Sequence, residues 1–172
     1  MGLLREFRSS DGVENTRGIT TVHGRSRLGR GVDQKSYFQE SILRKITVTE
    51  GRRILVVDDE PDILDLARIM LESEGYTVTT TSSGEDALRS IEAHRPDLVL
   101  LDAVMPGLSG LDVCRRLKRG KETRGIPVVM FTALGPEVDL MLEDDVKADG
   151  YILKPFTRKQ LLDKVENLLD QV

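Results

Sequence analysis

Four short apolar runs in this chain each end at a polar residue. The runs are 54–57, 98–101, 127–131 and 151–153, and they are followed by Asp58-Asp59, Asp102, Thr132 and Lys154. Short runs rich in β-branched residues predict strands that are buried on both faces, as in a parallel sheet. Because an open parallel sheet binds ligands at the carboxyl ends of its strands, we expect these polar side chains to converge at one edge. The pattern predicts a site for a cation and a phosphoryl group.

From residue 52 onward, predicted strands and helices alternate five times. The strands are expected at 53–58, at 76–81, after Pro96-Asp97, at 126–131 and at 150–153. Pro61, Ser83, Ser109 and Pro136 mark the starts of the first four helices, and an apolar stripe over 161–169 marks the fifth. This alternation indicates βαβ units with helices on both faces of the sheet. The predicted fold class is doubly wound α/β, with a five-stranded parallel sheet and five helices.

Composition places the chain among ordinary globular proteins. Of its 172 residues, 39% are hydrophobic and 31% are charged, which fits one domain with a full core. No apolar stretch is long enough for a membrane-spanning helix or a secretory signal. The single cysteine, Cys114, cannot form an internal disulfide. We therefore expect a cytoplasmic protein without a membrane span.

Charge separates the two ends of the chain. Residues 1–53 hold 11 Lys/Arg against 6 Asp/Glu, whereas residues 54–172 hold 14 against 23. The first 50 residues contain six glycines and no sustained periodicity. They predict a flexible, basic and mostly disordered N-terminal extension over 1–51, with the folded domain over 52–172. A solvated arm is favoured over an interaction tail, and a working start near Val48 stays open as an alternative.

The polar residues that follow the strands suit a magnesium ion. Carboxylates packed as closely as Asp58, Asp59 and Asp102 repel one another unless a cation lies between them. Hard oxygen donors with positions left for water are the ligands that Mg²⁺ prefers. Simple capping of the first helix would account for Asp59. It does not explain why polar residues also follow the three other strands.

These segments resemble the receiver domain of two-component response regulators, of the single-domain, CheY-like kind. The resemblance rests on 56–61 (VVDDEP), 101–107 (LDAVMPG), 131–133 (FTA) and 151–156 (YILKPF), and it covers 52–172, about 70% of the chain. The intervals between Asp58, Asp102, Thr132 and Lys154 are 44, 30 and 22 residues, close to the family's spacing. The resemblance implies a flavodoxin-like sheet with strand order 2-1-3-4-5.

The resemblance also implies a role for each site residue. Asp102 would be the phosphoacceptor, phosphorylated by a sensor histidine kinase or a phosphotransfer protein. Asp58, Asp59, Asp102 and the backbone carbonyl of Val104 would hold Mg²⁺. Lys154 would stabilise the phosphoryl oxygens during transfer. Such a protein accepts and autohydrolyses a phosphoryl group but is not a turnover enzyme.

The resemblance further implies a switch and an output surface. Thr132 would donate its hydroxyl to the phosphoryl group, and Tyr151 would turn inward into the space that the moving loop leaves. The face formed by the fourth helix, the fifth strand and the fifth helix would contact a downstream protein, with homodimerisation as a further alternative. The Lys154-Pro155 bond is expected to be cis, as is usual in the family.

Three positions depart from the family pattern. Val104 and Leu134 are apolar where polar side chains help water to reach the acyl phosphate, which predicts slow autodephosphorylation. Lys147 stands where receivers commonly have the glycine of a Gly-Ala-Asp sequence, so the turn into the fifth strand is expected to differ. The output surface is therefore less well defined than the site.

Two other functions compete with this interpretation. Aspartate-nucleophile phosphatases place two aspartates two residues apart on the first strand, whereas Asp58 and Asp59 are adjacent and the best nucleophile lies on the third strand. A receiver that regulates nucleic-acid binding by the basic arm is the other alternative. The arm lacks aromatic residues between its arginines, so we do not expect nucleic acid as a partner.

Overall fold

The computed structural model describes residues 51–133 and 146–171, together with Gln39. The strands are β1 (Arg53–Val57), β2 (Thr77–Thr81), β3 (Leu98–Leu101), β4 (Val128–Thr132) and β5 (Gly150–Leu153). The helices in these ranges are α1 (Pro61–Glu72), α2 (Gly84–Ala93), α3 (Gly110–Arg119) and α4 (Arg158–Leu169). The described ranges thus hold four helices, and α4 is the fifth predicted helix. The helix expected from Pro136, Leu134 beside it and the basic arm lie outside the described residues.

The strands form one parallel sheet in the order β2-β1-β3-β4-β5. This confirms the predicted doubly wound fold and its strand order. In the register, Val57 pairs with Leu101 at the ends of β1 and β3. Thr132 pairs with Leu153 at the ends of β4 and β5. The residues that follow these pairs therefore lie side by side at the carboxyl edge.

The fourth strand is shifted relative to its predicted bounds of 126–131. It runs from Val128 to Thr132, because Pro127 has no N–H to donate and Thr132 keeps the ladder going. The Thr132 carbonyl accepts a hydrogen bond from the Lys154 N–H at 3.1 Å. Thr132 is consequently the last residue of the strand rather than the first residue of the loop.

Two hydrophobic clusters cover the two faces of the sheet. Alternate residues of β1 divide between them, as the two-residue period of a strand requires. Ile54 and Val56 pack with α1 and α4, whereas Leu55 and Val57 pack with α2 and α3. Helices therefore cover both faces, which is why the central strands are apolar except at Arg53, which begins β1, and Thr132, which ends β4. Within the described ranges, no helix has the length and apolar character needed to cross a bilayer.

Side-chain caps set the starts of three helices. Ser83 and Ser109 accept hydrogen bonds from the backbone N–H groups of Asp86 and Asp112, each at 3.2 Å. Thr157 begins α4 with a reciprocal capping box. Caps of this kind contribute about 1 kcal/mol each. The caps thus satisfy backbone N–H groups in the first turns of these helices.

Candidate functional site

The three predicted carboxylates meet at the carboxyl edge of the sheet. One oxygen from each of Asp58, Asp59 and Asp102 lies within 4.8 Å of the other two. Asp58 is fully buried and Asp102 is 7% exposed, whereas Asp59 faces solvent. The pairing of Val57 with Leu101 causes this convergence, because the next residues of two parallel strands leave the sheet together. Two of the three carboxylates are thus buried in the domain, and the third is open to water.

Lys154 reaches this carboxylate cluster from the end of β5. Its Nζ lies 2.5 Å from Asp58 Oδ2 and 2.8 Å from Asp102 Oδ2. A third carboxylate, Glu60 Oε1, lies 3.4 Å away on the exposed side. The ammonium lies over the face of the Phe131 ring, 5.6 Å from the ring centroid. The Lys154-Pro155 peptide bond is cis, as predicted.

Burial and charge act in opposite directions on the buried groups. Burial raises the pKa of Asp58, and the Asp102 carboxylate adds to this. Lys154 and the Glu60 N–H, which donates to Asp58 Oδ1 at 3.0 Å, oppose the rise. Burial would lower the pKa of Lys154, but the two aspartates outweigh it and the pKa is raised. Lys154 therefore stays charged while Asp58 carries an unfavourable buried charge.

The buried oxygens test whether a metal ion fits. Asp58 Oδ2 is fully enclosed, and although it is paired in charge with Lys154, it has no aligned hydrogen-bond donor among the described residues. Asp58, Asp59 and Asp102 together place three negative charges beside one ammonium. A divalent cation with oxygen ligands would compensate the excess negative charge of this cluster. The donor set therefore fits Mg²⁺.

Val104 lies in the loop that follows Asp102. Its backbone N–H donates to Asp102 Oδ1 at 3.3 Å. Its side chain points outward, and the residue is 62% exposed. An apolar group consequently stands in water within two residues of the predicted phosphoacceptor.

Thr132 and Tyr151 lie on the neighbouring strands β4 and β5. Thr132 is 2% exposed at the end of β4, at the same edge as Asp102 and Lys154. Tyr151 is half-buried, pairs with Met130 in the register and packs against the cluster under α2 and α3. The structure therefore brings Thr132 to the site and leaves Tyr151 three residues before Lys154, beside the core.

Two kinds of site residue were not identified from the sequence. Glu60 was assigned no role there, and it is its contact with Lys154 that places it at the site. Gly110 is the other, because a Cβ built there would lie 1.7 Å from the carbonyl oxygen of Asp102. Gly84 is equivalent, 2.3 Å from the Leu108 carbonyl oxygen. A signal for both glycines exists in the chain, since 83–86 and 109–112 repeat the pattern Ser-Gly-x-Asp.

Comparison with known proteins agrees with this geometry. The model of the response regulator receiver domain family matches residues 54–166. The DNA-binding response regulator MtrA of Mycolicibacterium smegmatis is 43% identical over 117 residues, which cover 68% of this chain and 50% of that protein. The alkaline phosphatase synthesis transcriptional regulatory protein PhoP of Bacillus subtilis is 41% identical over 119 residues, with coverages of 69% and 49%. The chain spans about half the length of the curated relatives it matches.

A solved structure gives the same result. The response regulator protein TrrA from Thermotoga maritima, crystallised in complex with Mg²⁺-BeF, is 38% identical. It superposes with a TM-score of 0.61 and covers 68% of this chain and 98% of its own. The chain belongs to the response regulator receiver domain family of two-component systems.

Proposed function

We propose that this chain is a phosphoryl-accepting receiver of a two-component phosphorelay, phosphorylated on Asp102 by a histidine kinase or a phosphotransfer protein. One observation carries the proposal: the Lys154 ammonium bridges buried Asp58 and Asp102 at 2.5 and 2.8 Å where three carboxylates converge. A structural ion pair needs one acid for one base. The surplus acids suit a site that gains positive charge and then a phosphoryl group.

The transfer step follows from the position of Asp102. A carboxylate oxygen of Asp102 forms a bond to phosphorus as the P–N bond of the donor phosphohistidine breaks. The imidazole nitrogen keeps the electron pair and takes a proton from solvent. Lys154, already 2.8 Å from Asp102 Oδ2, is placed to neutralise charge on the phosphoryl oxygens. This chemistry forms a covalent phosphoprotein and has no catalytic turnover of a substrate.

Mg²⁺ would be held by Asp58, Asp59 and Asp102 with the backbone carbonyl of Val104. When bound, it would supply the positive charge that lets an anionic donor approach a cluster of carboxylates. Lys154 supplies a second positive charge. Asp58 and Asp59, which follow β1, would bind only the ion, whereas Asp102 would bind the ion and also accept the phosphoryl group.

Thr132 and Tyr151 would report the phosphorylated state. A phosphoryl group on Asp102 adds oxygens that the Thr132 hydroxyl can reach from the end of β4, and Tyr151 would turn inward in response. The affected surface includes β5, α4 and the helix expected within 134–145. We propose that this surface contacts a downstream protein in the cytoplasm, with the folded receiver over 52–172 and a flexible basic extension over 1–51.

The apolar side chain of Val104 bears on the lifetime of the phosphoryl group. It offers no hydrogen bond to an attacking water, so the acyl phosphate should hydrolyse slowly. Val104→Asn should shorten the half-life several-fold, measured by loss of label after the donor is removed. Ile69→Asn serves as the matched control, because Ile69 is an apolar residue on α1 that is 64% exposed. An unchanged half-life in Val104→Asn would contradict this role.

Labelling by a small phosphoryl donor tests the proposed function. The full chain is incubated with acetyl phosphate, with and without Mg²⁺, and the covalent label is counted by intact mass. We expect Mg²⁺-dependent labelling that Asp102→Asn abolishes and that Asp163→Asn, an exposed carboxylate on α4, retains. Equal labelling of Asp102→Asn and the unaltered protein would show that the nucleophile is misassigned.

A further inference from the structure

Among the residues that the structure describes, Glu60 is the one acidic contact of Lys154 that the proposed reaction does not use. Its Oε1 lies 3.4 Å from the Lys154 Nζ, and its side chain is 64% exposed. The other two partners of that ammonium, Asp58 and Asp102, are buried. Glu60 therefore stands on the solvent side of Lys154, where an incoming phosphoryl donor reaches the site.

Glu60 also changes the charge balance of the site. Asp58, Asp59, Glu60 and Asp102 place four carboxylates around Lys154, an excess of three negative charges. A bound divalent cation leaves an excess of one. That remaining charge is the one that Glu60 contributes, and it repels an anionic donor in proportion to the donor's own charge.

We propose that Glu60 is a specificity-determining residue that selects phosphoryl donors by charge. It disfavours free acyl phosphates, which are dianions at neutral pH, relative to P–N donors, whose nitrogen can carry a proton. The inference rests on the proposed function of Asp102 and names the donor class that the site prefers. It requires no change of fold, because Glu60 makes no side-chain cap of α1.

Donor pairs of different charge test this inference. The full chain with saturating Mg²⁺ is labelled by acetyl phosphate and by phosphoramidate, which carries one net negative charge. In Glu60→Gln, the ratio of the acetyl phosphate rate to the phosphoramidate rate should rise about threefold at low salt. In Glu60→Lys, it should rise about ninefold, since the change in charge is doubled. Both effects should shrink as salt screens the charge.

Glu72→Gln is the matched control. Glu72 is exposed at the far end of the 12-residue helix α1, about 17 Å from its start, so its charge acts on the site much more weakly than that of Glu60. Its donor ratio should equal that of the unaltered protein. A second readout needs no donor: Glu60→Gln should weaken Mg²⁺ binding measured by calorimetry, whereas Glu72→Gln should leave it unchanged.

The outcomes separate the inference from the function on which it rests. Suppose that Asp102 is the labelled residue but that Glu60→Gln changes the labelling rates with both donors by the same factor. Glu60 then does not distinguish the donors by charge, and the inference is wrong. A ratio that does not respond to salt overturns it as well. If Asp102→Asn is labelled like the unaltered protein, the proposed function itself fails, and charge selection at Asp102 fails with it.

Discussion

The two edges of the sheet use aspartates for different purposes. At the amino edge, Asp97 accepts a hydrogen bond from the Arg53 N–H, and Asp149 accepts one from the Val128 N–H, each at 2.7 Å. Each of these acids also faces its own basic side chain, Arg52 and Lys118 respectively. Each of these two acids has a backbone donor and a separate cation, so both have a structural role.

The carboxyl edge has the opposite balance. Asp58 and Asp102 share one ammonium, Lys154, and Asp58 Oδ2 lacks an aligned donor among the described residues. The cause lies in the direction of parallel strands. Their first residues present free N–H groups that satisfy carboxylates, whereas their last residues present carbonyl oxygens. The acids at the carboxyl edge receive N–H donors only from the loops, Asp58 from Glu60 and Asp102 from Val104. The carboxylates at the carboxyl edge therefore require a cation to balance their charge, and this edge is suited to bind one.

Close backbone packing at the carboxyl edge gives the largest expected effect. In Gly110→Ala, the new Cβ would lie 1.7 Å from the Asp102 carbonyl oxygen, so α3 must move away from the site loop. We expect a loss of about 3 kcal/mol in the free energy of unfolding, measured in urea. Gly125→Ala at the amino edge is the control, because its nearest neighbour is the Arg95 guanidinium at 3.7 Å. Similar losses in both variants would contradict the comparison.

Added Mg²⁺ should stabilise only an intact carboxyl edge. At a concentration about 100-fold above its dissociation constant, an ion that binds the folded state adds about 2.7 kcal/mol to the free energy of unfolding. We expect this gain in the unaltered protein and in Asp97→Asn, and its loss in Asp58→Asn, by thermal melting with and without Mg²⁺. If Asp58→Asn keeps the full gain, the metal site does not include Asp58.

Neutralising one aspartate at each edge should have effects of opposite sign. Without divalent cations at pH 7, the free energy of unfolding of Asp149→Asn should be about 1.5 kcal/mol lower than that of the unaltered protein. The substitution weakens charge-assisted hydrogen bonds to Val128 and Lys118. The free energy of unfolding of Asp58→Asn should be about 1 kcal/mol higher, because the substitution removes a buried charge while Lys154 remains paired with Asp102. Urea denaturation of both variants decides this, and a loss in Asp58→Asn would contradict the charge imbalance.

The pH dependence of this gain follows from the raised pKa of Asp58. Burial raises that pKa in the folded state above the ordinary value of 3.8 that it has in the unfolded chain. Its contribution to stability is therefore fully present below pH 3.8 and is lost as pH rises through the folded pKa. The gain from Asp58→Asn should be near zero at about pH 3 and grow toward neutral pH. Urea titrations without divalent cations across this range measure it, and a constant difference would contradict the assignment.

The local features of the fold were predictable because they depend on neighbours in the chain. Ser83 and Ser109 begin their helices as expected, and three of the four apolar runs lie in the central strands. The run at 151–153 lies in the edge strand β5, so it is not buried on both faces as predicted. The shift of β4 to include Thr132 was not predicted, since it depends on pairing with Leu153 on another strand. Glu60 and Gly110 were missed for a related reason. Their importance comes from contacts with Lys154 and Asp102, which are distant in sequence.

The sequence alone determined the fold class, the family and the identity of the polar residues at the strand ends. Hydrophobic period and motif spacing are properties of the chain, and they require no distances. Only the tertiary structure decided that Lys154 is shared by buried Asp58 and Asp102 and capped on its solvent side by exposed Glu60. Burial and the register of parallel strands set the charge balance of the site, and both arise only when distant segments pack together.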